Sequence, residues 1–203
     1  MTVAFVVDGL KDARRYFDAL PDLATDAAFF AVNDTLRDEE VAVRRQMEVE
    51  INFPRGYLKG NRYGIGKRAS RSRLEGSLIG RDRPTSLARF AEGATRENTR
   101  GKQVIVRVRG GQRVSLRRAF LIELRNNNIG LAIRLPDGQR PDKAYKPVQL
   151  TQNSGKSLLP IWLLYGPSVD QVMSGVISDR TDEIQERLFS NFSRQFDRLS
   201  RRG

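Results

Sequence analysis

The spacing of apolar positions changes several times along this chain, and each change predicts an element. The opening Thr2–Gly9 is β-branched and aromatic, which predicts a short strand ending at Gly9. Lys11–Leu20, with Tyr16, Phe17 and Leu20 on one side, predicts a short helix closed by Pro21. From Asp22 to Ile51 there is no Gly or Pro. Ala24, Ala27, Ala28 and Ala31 recur at helical spacing there, and Leu36, Val43, Met47 and Ile51 continue the stripe. That predicts one long helix, about 45 Å at 1.5 Å rise per residue. Asp22 and Asp26 sit in its early turns, where the helix dipole favours acidic groups. Phe53-Pro54 ends it.

The Gly- and Arg-rich stretch 55–73, with Tyr57 and Tyr63 interleaved, predicts a loop. Strands are expected at Leu74–Gly80, Gln103–Arg109, Arg113–Leu116, Ala119–Arg125 and Gly130–Leu135, the first three as a meander. Gly110-Gly111 and Asn126-Asn127-Asn128 supply turn chemistry between them. By period-two alternation Val104, Val106 and Val108 share a face, as do Phe120, Ile122 and Leu124, and Leu131, Ile133 and Leu135. The polar, Pro-containing stretch 136–156 predicts a protruding loop, and Ser157–Tyr165, apolar on both faces, a central strand. After Gly166-Pro167, Ser168 and Gln171 form a capping-box signature. Val172, Val176, Ile184, Leu188, Phe192 and Phe196 then predict one amphipathic helix to about Leu199, bent at Gly175. The expected fold is α+β: one domain over 1–203, an antiparallel sheet flanked by a long N-terminal and a long C-terminal helix.

Composition narrows the function. Apolar residues are 39% and charged residues 30% of the chain, and mean hydropathy is −0.51, so the core is lean for 203 residues. No apolar run approaches the ~20 residues that span a bilayer, so no membrane partner is expected. The start has no basic segment ahead of its apolar run and no cleavage site, unlike a signal peptide, so the chain reads as intracellular when made. Cys and His are both absent. That excludes disulfides, Cys/His zinc sites, and Ser-His or Cys-His nucleophile pairs.

Charge is uneven. Residues 55–118 hold 18 Lys/Arg against 4 Asp/Glu, whereas 1–54 hold 6 against 11 and 119–203 hold 12 against 9. The net +12 therefore arises in the centre. Such an excess suits a polyanion or an acidic partner surface, or keeps a solvated loop soluble. Arg107, Arg109, Arg113 and Arg117 are expected to line one sheet face, with Arg68, Arg71 and Arg73 in the adjoining loop. They would grip phosphates without reading bases, or face an acidic subunit.

Catalytic constellations are missing. Pro141-Asp142 near Lys143 resembles the start of a PD-(D/E)xK nuclease motif, but the next carboxylate is Asp170, far from the required Glu/Asp-x-Lys. Tyr63-Gly64-Ile65-Gly66-Lys67 lacks Walker spacing and the following Ser/Thr. Trp162 sits in an apolar run and reads as core, not as a base-stacking platform. No catalytic, cofactor or metal residues are expected.

Two stretches carry a resemblance. Residues 6–39, with Gly9-Leu10, then Leu20-Pro21, then a long helix, are similar to the opening of phage tail-completion and neck proteins. Residues 158–173, with Leu159-Pro160-Ile161 and Tyr165-Gly166-Pro167-Ser168, resemble the strand-to-helix motif of the minor tail protein Z family. The resemblance implies a virion protein made in the host bacterial cytoplasm and acting at the head-proximal end of the tail in head–tail joining. It further implies a homo-oligomeric, hexameric ring around the DNA path, touching tail terminator, tail tube and neck proteins and, in the lumen, packaged DNA. Pro160, Tyr165, Gly166, Pro167 and Ser168 would then be structural, Gly166 for an unusual dihedral and Pro167 for helix initiation. A non-sequence-specific nucleic-acid-binding protein is the alternative.

Overall fold

The computed structural model describes residues 20–93, 103–124, 127–134 and 161–201, and the backbone of 2–5 and 145–148. The fold is α+β, with a long helix at each end of the chain and antiparallel strands between them. Those strands form three sheets rather than one, and the chain divides into two compact units, 1–47 with 58–82 and 169–203, and 48–57 with 83–168.

In the first unit, helix α1 spans Pro21–Glu50. Pro21 opens it where no N–H is needed, and Asp22 lies in its first turn. Its buried residues Ala24, Ala27, Ala28, Ala31, Val32, Thr35, Leu36, Glu39, Val43 and Met47 follow helical spacing. The alanines let other chain segments come close: Ala69, Leu188 and Phe192 pack on them, with Phe29, Leu74, Phe196 and Leu199 at the margin.

Strands β1 (Thr2–Phe5), β2 (Tyr63–Lys67) and β3 (Gly76–Gly80) form an antiparallel sheet with β3 in the middle. The stretch 55–73, expected to be a loop, therefore contains a strand. Tertiary contacts order it: the buried Tyr63 donates its hydroxyl to the Glu40 carbonyl at 2.9 Å, and Asn33 holds Ala69 through two 3.2 Å hydrogen bonds. A bulge falls between Ile65 and Lys67. A Cβ on the intervening Gly66 would stand 2.5 Å from Ile79 Cγ2, so the bulge needs glycine.

The C-terminal segment is two helices, α2 (Val169–Asp179) and α3 (Thr181–Ser200). The break falls at Arg180 (φ −104°, ψ 9°), and Gly175 lies inside α2 beside open space. The cause is tertiary. Arg180 turns its guanidinium onto Glu39, with Nη2 3.2 Å from Oε2, and onto Glu183 at 2.8 Å. Arg187 Nε stands 2.9 Å from Glu39 Oε1, an ion pair whose N–H is not aligned on the oxygen. Glu39 is fully buried. Beside it Asn191 donates to Thr35 Oγ1 at 2.9 Å and Gln195 to Asp34 at 2.6 Å.

In the second unit β4 (Val104–Val106) pairs with β5 (Val114–Leu116). β6 (Ala119–Glu123), β7 (Ile129–Arg134), β8 (Tyr145–Val148) and β9 (Ile161–Leu164) form a sheet in the order β6-β7-β9-β8. Of the expected meander the β4–β5 pair forms, but β3 belongs to the first unit's sheet, and β6 pairs with β7. β9 is internal, as its two apolar faces predict. Val104, Val106, Ala119, Leu121, Leu131 and Leu164 make one cluster, and Ala132, Ile161 and Leu163, with Phe120, Ile122 and Leu124, another. Residues 145–148 of the expected protruding loop are an edge strand, a position that tolerates Pro147. The rest of that loop, like the expected helix Lys11–Leu20 apart from its last residue, lies outside the described residues.

Removing one partner from a buried ion pair strands the other charge. Arg180→Ala should cost about 3 kcal/mol in urea unfolding followed by far-UV circular dichroism. An Arg180→Met, Glu39→Met double variant should lie much nearer the unaltered chain.

Candidate basic interface

The basic excess belongs to one unit. Residues 48–57 and 83–168 contain 17 Lys/Arg against 7 Asp/Glu, a net +10, and the remainder 19 against 17, a net +2. The seven arginines expected to act together are divided accordingly. Arg68, Arg71 and Arg73 are in the first unit, and Arg107, Arg109, Arg113 and Arg117 in the second.

The first three are largely committed to their own unit. Arg71 bonds Asp26, which holds its pKa above the ordinary guanidinium value, and lies over the Phe29 ring at 5.4 Å. Arg73 Nε is 2.8 Å from Glu75, in a tight turn closed by reciprocal Ser70–Arg73 backbone hydrogen bonds of 2.8 and 3.0 Å. Arg68 is exposed.

In the second unit one carboxylate serves two arginines. Glu92 meets Arg107 Nε at 2.8 Å and Arg113 at 3.1 Å. The trio therefore keeps a net positive charge. The bend after β4 is tied to Asn52 of the same unit. Asn52 N–H donates to Val108 O at 2.8 Å, and the Asn52 side chain donates to Arg107 O at 3.3 Å and Arg109 O at 3.1 Å. Arg109 and Arg117 are exposed. An aromatic group borders the region: Phe53 stacks on Tyr57 at 5.4 Å, and Arg89 lies over the Tyr57 ring at 5.3 Å.

The motif residues occupy a strand-to-helix connection. Tyr165 bridges to Ser86. Gly166 N–H donates to Thr85 O at 2.8 Å, and Thr85 N–H to Pro167 O at 3.3 Å. Ser168 is buried immediately before α2. Pro160 lies outside the described residues. Gly166 is not among the positive-φ residues, so the expected dihedral reason for it is replaced by a close approach. A Cβ there would stand 3.2 Å from Leu87 Cδ2 and 3.5 Å from Phe90 Cε2.

Among the described residues no group of three or more His, Cys, Asp or Glu could hold a metal ion. No helix among them is long and apolar enough to cross a membrane. Asp142, the nuclease candidate, is outside them. The Tyr63 pKa is raised mainly by burial, opposed by Arg44 and reinforced by Glu39, so it remains an O–H donor. The Glu39–Arg180–Arg187 cluster was not anticipated from sequence. Its signal was present, since Thr35 and Glu39 interrupt an apolar stripe at positions that face the core.

Gly166→Val should destabilise the second unit by about 1–3 kcal/mol through overpacking, read by urea unfolding. Gly166→Ala should cost less. Trp162 is the chain's one tryptophan, and its indole N–H is buried with no acceptor among the described residues. Its emission should therefore be blue-shifted from that of tryptophan in water, and should move to the red on unfolding.

No protein-family model matches the chain, and no curated protein and no solved structure shows a significant similarity to it.

Proposed function

We propose that this chain is a structural, non-catalytic protein of a tailed-phage particle. It acts as a minor tail or tail-completion adaptor at the head-proximal end of the tail, taking part in head–tail joining as a ring around the DNA path. The observation that carries the reading is the tract ending in Tyr165-Gly166-Pro167-Ser168. It resembles the minor tail protein Z motif, and it runs here from strand β9 through a pinned turn into helix α2. The partners of such an adaptor are further copies of the chain and the tail terminator, tube and neck proteins. Assembled copies would multiply the second unit's positive charge, favouring passage of packaged DNA without sequence recognition.

The same net +10 favours a second reading, a free-standing nucleic-acid-binding protein without sequence specificity. The two differ in assembly. Light scattering and negative-stain imaging of the purified chain, alone and with tail proteins, should reveal closed rings, and mass spectrometry should find the chain in virions. A strict monomer absent from virions would reject the adaptor. Binding duplex DNA tightly as that monomer, with affinity falling steeply as salt rises, would favour the alternative.

A further inference from the structure

Among the described residues the hairpin β4–β5 has one open edge, and the hydrogen bonds around β4 reveal which backbone groups it presents. Ile105 O accepts from Glu92 N–H at 2.9 Å, and Arg107 N–H donates to Phe90 O at 2.9 Å. Residues 105 and 107 thus turn their backbone groups toward 90–92, and Val104 and Val106 turn theirs toward β5. Their partners are Leu116 and Val114. By alternation Ser115, between them, turns its N–H and C=O away from β4. Among the described residues β5 pairs with no other strand.

This edge is exposed, and its surroundings are basic. Val114 is 50% exposed and Arg113 63%. Arg117 and Arg118, also exposed, follow the strand, and among the described residues Glu92 offers a carboxylate to Arg113. Arg118 holds a left-handed φ of 66°, which glycine adopts at less cost. Arg118 thus occupies the second position of the two-residue connection to β6, where glycine is the commoner residue. Arginines flanking an edge also discourage aggregation between copies. That role alone needs neither an exposed Val114 nor a strained turn.

We infer that the β5 edge is a docking site for an extended acidic segment of a partner protein. The segment adds as a strand on Ser115, and its carboxylates meet Arg113, Arg117 and Arg118. Unpaired ladder groups supply the backbone recognition of strand addition, and guanidinium forks supply the charge selectivity. The site does not rest on the adaptor reading. A nucleic acid would use the same arginines but would have no use for the strand register.

The register provides the test. Ser115 N–H makes no ladder bond to β4, so Ser115→Pro removes the outward donor and keeps the hairpin pairing. Fluorescence anisotropy of a short labelled peptide alternating Glu with Thr should report binding to the full chain. The Lys-Thr counterpart should not bind. Ser115→Pro should weaken binding at least about tenfold, Ser115→Ala should leave it unchanged, and Arg113→Ala with Arg117→Ala and Arg118→Ala should weaken it and flatten its salt dependence. The Glu-Thr peptide N-methylated at alternate amides should fail to bind, which needs no protein variant should Ser115→Pro lose the native Trp162 emission. Equal binding of the N-methylated peptide, unaltered affinity in a folded Ser115→Pro chain, or binding of duplex DNA without the peptide would each overturn the proposal.

Discussion

A carboxylate removed from water must be compensated, and in the first unit Glu39 imposes that requirement on everything around it. It lies on the core-facing stripe of α1, fully buried, where an uncompensated charge would cost several kcal/mol. Arg180 and Arg187 supply the counter-charge. To deliver Arg180, the C-terminal segment breaks into α2 and α3 at that residue. To deliver Arg187, α3 lies along α1, where the alanine face permits close packing by Leu188 and Phe192. The polar contacts of Asn191 with Thr35 and Gln195 with Asp34 continue the seam. Alanine against Leu and Phe supplies the attraction, and the ionic cluster fixes the register along the helices.

The second unit is organised differently. Its strands bury Val, Ile, Leu and Ala on two faces, and its connections are pinned by backbone hydrogen bonds from Thr85, Asn52 and residues 90–92. Arg109, Arg113, Arg117 and Arg118 are left at the surface. Glu92 organises Arg107 and Arg113 without cancelling them. A scaffold presenting guanidinium groups in excess of their carboxylate partners is suited to holding anionic neighbours.

Much of this was legible in the order of the residues. The bounds of α1, expected at Asp22–Ile51 and found at Pro21–Glu50, follow from a long apolar period free of Gly and Pro and closed by Phe53-Pro54. The strands at Val104, Ala119, Ile129 and Ile161 follow from alternation or from runs apolar on both faces. Strand β2 was not legible, because Tyr-Gly-Ile-Gly-Lys has the composition of a loop. What orders it is the Tyr63 hydroxyl on Glu40 and a bulge that only a glycine fits against Ile79. The seven arginines could be named but not grouped, because charge density along a chain does not say which carboxylates fold back onto it.

By itself, then, the sequence determined the α+β class, the long helices, most strand positions, the concentration of positive charge and the lack of Cys and His chemistry. These are local properties, set by side-chain period and composition. The tertiary structure alone decided the sorting of strands into three sheets, the helix break at Arg180 and the commitment of Arg71, Arg73, Arg107 and Arg113 to particular carboxylates. Apart from the local Arg73–Glu75 pair, each of those depends on a partner farther along the chain, as Arg180 depends on Glu39 141 residues before it. Burial makes such a contact strong, and no local pattern encodes it.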